Sequence, residues 1–368
     1  MFHGSYLPGD VTFLLKPLSN VTLVDVAAKE QLIQSGAKHY SEMISPEQHP
    51  SAAYMQLFES AWTHNGSRVA GDLLKLAAML DSAKQGPITL VSLARAGTPV
   101  GVILKRLLES VFRREVSHYS VSIIRDRGID NQAITHILAH GHPQESIAFI
   151  DGWTGKGVIT QELFTSITDY NQRHASHIDP GLWVHADLAG VATHAATQDD
   201  YLIPSSILNA TISGLISRSI LDESIGVNDF HGCCYYEHLA AQDLSRRYVD
   251  DLSQRAKAIA QQAAVPSNCT PIDPATNGRR HQVQQLMTRL MQQHGITHIN
   301  HIKPGIGEAT RVLLRRTPGL LIIGEHAGQD VAHMRTLSNE KNVPVLIEPD
   351  IAPYQAIAII KEMPHATP

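Results

Sequence analysis

The sequence predicts an α/β protein, with a parallel sheet in its N-terminal body and a smaller α/β/α unit behind it. Three observations carry this. Between residues 88 and 160, short β-branched apolar runs alternate with amphipathic helical patterns, the order that yields a parallel sheet with helical crossovers. The stretch PSNCTPIDPATNG, at 266–278, is rich in the residues that interrupt regular structure. After it the strand–helix rhythm restarts over about ninety residues, enough for a small domain. The expected units are therefore a body at 1–265, a linker at 266–278 and a C-terminal domain at 279–368.

Taken in order, residues 1–50 are punctuated by Pro8, Gly9, Pro17, Gly36, Pro46 and Pro50, with VTFLLKPL and VTLVDV as short strands. Residues 51–81 place Leu73, Leu74, Ala77 and Leu80 at helical spacing. ITLVSLA at 88–94 reads as a buried strand, GVILKRLLESVF as an amphipathic helix, and VSHYSVSII at 116–124 as the next strand. A helix at 131–140 leads to the strand IAFI at 147–150, and LWVHADL at 182–188 gives a further strand ending near Asp187. Helices are expected at 205–221 and 240–264. In the last unit, helices at 280–294, 307–316, 328–340 and 353–363 alternate with strands at 296–303, 320–324 and VPVLIEP.

The chain of 368 residues is 43% hydrophobic, so a full core is within reach, and its net charge of −5 gives no overall reason to expect nucleic acid. The charge is uneven, however. From Arg279 onward ten Lys and Arg face seven Asp and Glu, leaving +3 there and −8 elsewhere, a balance that permits RNA binding by the tail. Three cysteines, Cys233, Cys234 and Cys269, make neither a disulfide framework nor a zinc spacing. The N-terminus has no signal-peptide pattern and no run reaches the ~20 apolar residues of a membrane span, so the expectation is a cytoplasmic protein without membrane contact. The His174/His177 pair has no helical Glu partner and reads as surface.

Parallel sheets bind ligands beyond the C-terminal ends of their strands. Three turns should meet there: 94–101, 125–130 and 151–157. In the third, IAFIDGWTGKG, a buried strand delivers Asp151 to a glycine turn that opens a helix, whose free N–H groups suit a phosphate. The turn RAGTPVG, with Arg95 as a forked donor, would make a second anion cradle. Two cradles and an acid that could meet Mg²⁺ point to a diphosphate-bearing sugar.

These motifs resemble the type I phosphoribosyltransferases. LARAGTPVG is similar to the loop that binds pyrophosphate in that family, and AFIDGWTGKG to its motif for phosphoribosyl pyrophosphate (PRPP), with Gly152 where a second acid usually stands. The resemblance implies PRPP contacts at Arg95, Ala96, Gly97, Thr98, Asp151, Gly152, Trp153, Thr154, Gly155, Lys156 and Gly157. It implies Asp151, Arg125 and Arg127 as catalytic residues, and Mg²⁺ held by Asp151 through PRPP. Pyrophosphate would be displaced by a base-like acceptor, yielding a nucleoside-like metabolite or a modified RNA.

The wording DGWTGKG, with HYSVSIIRDRGID before it and LIPSSILNATISGLISRSIL after it, resembles a bacterial group of tellurium-resistance-type stress operons that joins such a body to a Pelota-type domain. That group is also labelled the cysteine protease StiP family. The tail, IKPGIGEATRVLLRR…LLIIGEHA…VPVLIE, resembles the kink-turn RNA-binding fold of Pelota and some ribosomal proteins. This implies contacts to structured RNA at Lys303, Gly305, Gly307, Glu308, Thr310 and Arg311, with Arg315 and Arg316 near backbone phosphates. A homodimer is compatible with the sequence.

Other readings compete. The body could be a PRPP or nucleotide sensor without catalysis, which controls RNA binding by the tail. A P-loop is too short here and lacks its Ser/Thr. A cysteine hydrolase is suggested by His231-Gly232-Cys233-Cys234 and the StiP label, though two buried structural cysteines would give the same sequence.

Overall fold

The structure, a computed structural model, describes residues 2–19, 21–262 and 278–361. The body is built on six strands: β1 (Thr12–Leu14), β2 (Ile88–Leu93), β3 (Val116–Val121), β4 (Ile147–Thr154), β5 (Leu182–Asp187) and β6 (His194–Thr197). They lie in the order β1-β3-β2-β4-β5-β6 and every pairing is parallel. The mixed α/β class with a parallel sheet is as expected.

Alternation along the strands assigns the two faces. Leu90 of β2 with Ala148 and Ile150 of β4 join the cluster that holds α2 (Ala52–Ala83), α3 (Gly97–Ser110) and α6 (Ser245–Gln262). Val91, Leu93, Ile147 and Phe149 point the other way, to α4 (Asn131–Ala139) and α5 (Val158–His174). A strand with helices on both faces must be apolar on both. β2 is therefore buried at every position, and each such Leu, Ile or Phe contributes about 1.5–3 kcal/mol.

The C-terminal unit follows α7 (Gly278–Gln293) with β7 (Ile302–Pro304), α8 (Ile306–Arg315), β8 (Pro318–Gly324), α9 (Ala332–Glu340), β9 (Val345–Glu348) and β10 (Ala356–Ile360). Its sheet runs β7-β10-β8-β9, with β10 antiparallel to both neighbours and β8 parallel to β9. One hydrophobic cluster continues from the body, through Leu188, Tyr201 and Ile203, to Ile306, Ala309 and Leu313.

Several local expectations are corrected. Residues 353–363 are not helical: AIAII is the buried central strand β10. Residues 205–221 form no α-helix, only two buried 3₁₀ turns at Pro204–Ser206 and Ala210–Ile212. Gly214 and Leu215 have φ of 83° and 60°, left-handed backbone that ends any helix there. VTLVDV contributes a single bridge, Leu23 to Ile44, and then enters the short helix α1 (Val26–Gln34). The strand expected at 296–303 is confined to β7, behind a 3₁₀ turn at Ile299–His301. Apart from Gly278, the proposed linker, with Cys269, lies outside the described residues. No described helix is long and apolar enough to cross a membrane.

Candidate functional site

The turn after β4 is the meeting point of the two units. Asp151 accepts the Gly152 N–H at 2.7 Å, and burial pushes its carboxyl up to about 7, opposed by that hydrogen bond and by Arg311. Trp153 donates its indole N–H to Glu308 at 3.3 Å, while the Arg311 guanidinium sits 4.8 Å from its ring centre. Thr154 donates to Asp187 at 2.5 Å. The Gly155 carbonyl accepts the Tyr354 hydroxyl at 2.7 Å. Lys156 donates to the carbonyls of Ile299 and Ile302 at 2.7 and 2.9 Å, and burial pulls its ammonium down to about 7. Gly157, at φ 83°, starts α5. Four successive side chains or carbonyls at 153–156 are thus engaged, three of them by the C-terminal unit.

The glycines expected to cradle phosphates answer to packing. A Cβ on Gly97 would lie 2.4 Å from the Ile150 carbonyl oxygen, and one on Gly152 3.2 Å from Ala96. The RAGTPVG and DGWTGKG turns therefore press against each other. Thr98 is fully buried and shares a 2.8 Å hydrogen bond with Ser120. Arg95 pairs with Glu47 at 3.0 Å and also donates to the Ile216 carbonyl.

Arg125 lies 5.1 Å from the centre of the Tyr40 ring and pairs with Asp126 at 3.1 Å. Arg127 turns away, to Glu42 and the Leu221 carbonyl. Asp187 closes the loop between β5 and β6, accepting from the Val191 and Ala192 amides at 3.1 Å each in addition to Thr154.

Several tail residues expected at RNA meet the body, and Lys303, Glu308, Arg311, Arg315 and Arg316 line a cleft against it. Ile306, the first residue of α8, donates its N–H to Asp200 at 2.9 Å, and Gln355 donates its own at 2.8 Å. A carboxylate of the body thus satisfies the helix N-terminus that an anion would otherwise seek. Cβ atoms on Gly305 and Gly307 would collide with Leu188 at 2.7 Å and Ser206 at 2.9 Å. Glu308 and Arg311 pair at 3.0 Å, and Arg311 donates to the Ser206 carbonyl. Thr310 bonds His333 at 2.7 Å. Asp200 is the residue sequence reasoning missed. Its partners are backbone amides more than 100 positions away, and no local motif announces them.

Burial pushes Asp200 up to about 7, against its amide partners and with help from Asp330. A carboxyl whose value is raised on folding contributes stability that is full below the ordinary carboxylate range and lost as pH rises through about 7. The stability difference between wild type and Asp200→Asn, from denaturant melts, should therefore favour wild type more at pH 5 than at pH 8. A difference that is flat or rises with pH would contradict this.

Beside this contact opens a cleft of about 1610 Å³. Its walls come from α1, the 38–51 segment, Arg95, Arg125, Arg218 and Tyr236 of the body, and from Lys303, Arg315 and Arg316 of the tail. Arg218 donates to the Tyr40 and Met43 carbonyls, and Arg315 to Asn209 and the Ile207 carbonyl. Burial, joined by neighbouring cations, lowers Arg218 to about 10 and Arg315 to about 9.

The cysteine segment borders the same region. Gly232–Cys233 pairs in parallel with Lys16–Pro17, and Tyr235 bridges Ile216. Cys233 is fully buried, which pushes its thiol up to about 12. Cys234 is partly exposed, and its N–H donates to the Ser217 hydroxyl at 2.8 Å. Burial raises its thiol above the ordinary range, while the Ser217 hydroxyl counteracts. The His231 ring bonds Ser122 at 2.7 Å, and its backbone N–H donates to Asp130. Among the described residues no histidine hydrogen-bonds to Cys234, and no group of three His, Cys, Asp or Glu could hold a metal.

Comparison with known proteins places the chain. A family model described as "Tellurite-like stress resistance cysteine protease StiP" matches residues 4–253, and a PELOTA RNA binding domain model matches residues 281–362. A protein of Acinetobacter baylyi named "Cysteine protease StiP" is 42% identical, over 98% of this chain and 95% of its own length. Solved N-succinyldiaminopimelate aminotransferases from Thermus thermophilus and Mycobacterium tuberculosis align over 95% of this chain and 90% and 88% of theirs. At 12% identity and TM-scores of 0.25 and 0.24 they carry no argument.

The family model and the relative overturn the expected PRPP-dependent transfer, since both name a cysteine protease and neither a phosphoribosyltransferase. The phosphoribosyltransferase-like fold assignment likewise has no support from them. The stress-resistance and StiP reading, and the Pelota-type tail, stand.

Proposed function

The chain belongs to the StiP family, and from that premise we propose that it is a cysteine hydrolase of a stress response, with Cys234 as its nucleophile. The observation that carries the choice of residue is exposure. Of the two described cysteines, Cys233 is sealed in the core and Cys234 reaches solvent. Cys234 also stands two residues before Tyr236, whose side chain lines the cleft. The substrate class is that of the relative's name, a peptide bond. Sulfur attacks the carbonyl carbon, a C–S bond forms, and the C–N bond breaks as the thiol proton passes to the leaving amine. Water then cleaves the thioester and restores the thiol.

A thiol held protonated by burial, with no histidine bonded to it, reacts slowly at neutral pH. Alkylation of the native protein by iodoacetamide, mapped by peptide mass, should modify Cys234 with a rate that rises about tenfold per pH unit from pH 7 to 9. Cys233 should stay unmodified. Faster labelling at Cys233, or a Cys234 rate independent of pH, would refute the assignment.

A second reading concerns the tail. The match to an RNA-binding domain, beside a cleft rich in Lys and Arg, supports RNA as the partner of the C-terminal domain.

A further inference from the structure

We propose that RNA is bound between the two units, and that the body supplies half of its phosphate contacts. This rests on the RNA-binding reading of the tail and is independent of the thiol reading.

The first support is charge. Among the described residues that line the cleft, nine are Lys or Arg and three are Asp or Glu, an excess of six positive charges in a chain whose net charge is −5. Such segregation is the electrostatic footprint of a polyanion. The three acids pair with Arg95, Arg125 and Arg311, and the excess belongs to both units: Lys29, Lys38 and Arg218 come from the body, Lys303, Arg315 and Arg316 from the tail. Arg218 and Arg315 are held by carbonyls and an amide rather than by carboxylates. Those contacts fix the guanidiniums without neutralising them.

The second support is size. The cleft's 1610 Å³ exceeds the roughly 300–1,000 Å³ of small-molecule pockets. Tyr40 and Tyr54 line it, and the Tyr40 ring has the Arg125 and Arg218 guanidiniums each 5.1 Å from its centre, the mixture of rings and positive charge that single-stranded nucleic acid uses.

The third is exclusion. The N-terminus of α8 is already satisfied by Asp200, and Gly305 and Gly307 abut Leu188 and Ser206. With the units docked, RNA cannot meet the tail through that turn. Lys303 and Arg316 line the same cleft as Lys38 and Arg125.

The test uses the full chain and a fluorescein-labelled, mixed-sequence, single-stranded RNA of about 20 nucleotides, with affinity read by anisotropy across a salt series. Lys38→Glu/Arg125→Glu in the body should weaken binding at least tenfold. It should also flatten the salt slope by about 1.4, two phosphate contacts at about 0.7 each. Arg316→Glu should weaken binding as well. Arg173→Glu/Arg246→Glu, an equal charge change on helices outside the cleft, should leave affinity within about twofold, since distant surface charges are largely screened. All variants should keep the wild-type melting temperature. If Arg316→Glu weakens binding and the body pair does not, the tail binds RNA alone and the composite site is refuted. If wild type binds no RNA, the RNA reading of the tail falls with it. Equal loss in the control pair would reduce the effect to net charge and also refute the site.

Discussion

Replacing Asp187 by alanine will destabilise the body by roughly 3–5 kcal/mol, because it strands two buried donors and a partly buried one at once. The carboxylate accepts from the Thr154 hydroxyl at 2.5 Å and from the amides of Val191 and Ala192 at 3.1 Å, in a place with no access to solvent. The Thr154 hydroxyl and the Ala192 amide, both buried, lose their partner and gain no water in exchange. The loss falls where β4 and β5 end side by side, with Thr154 paired to Asp187 in register. The turn on which the tail is docked would loosen with it. Denaturant melts should show the drop, and Asp187→Asn, which keeps an acceptor, should recover part of it. A loss below about 1 kcal/mol in Asp187→Ala would mean that the loop finds other acceptors.

Sequence reasoning reached the strand order of events from 88 to 187 because the pattern there has a physical cause. A strand covered on both faces is buried throughout and mostly apolar, as β2 is, and amphipathic helices between such strands leave little choice of architecture. It failed where the same residues serve two structures. AIAII at β10 is too short for periodicity to separate strand from helix. The 205–221 segment has helical apolar spacing, but its path turns through left-handed backbone at Gly214 and Leu215.

The site was harder for a related reason. Glycines in a strand–helix turn signal close approach, but not of what. At Gly97 the approaching group is the carbonyl of Ile150, and at Gly305 and Gly307 it is the body itself. Arg95 and Arg125, expected at one ligand, and Lys303 and Arg311, expected at another, line one cleft. Tyr40, which also lines it, and Asp200, which holds the tail against the body, come from stretches with no motif. Cys234 was visible in the sequence, and its exposure, which separates it from Cys233, was not.

The largest expected effect belongs to that thiol. A side chain that forms the covalent intermediate has no substitute, and loss of a nucleophile costs on the order of 10³-fold or more in turnover. Ser in place of Cys234 preserves shape and the partial contact with Ser217 while removing the sulfur. Hydrolysis of fluorescently labelled casein should therefore be compared for wild type, Cys233→Ser, Cys234→Ser and Cys269→Ser, at pH 7 and pH 9. Turnover by wild type should increase with pH and be lost in Cys234→Ser alone, with an unchanged melting temperature in that variant. Activity retained by Cys234→Ser, or no hydrolysis by wild type at either pH, would contradict this.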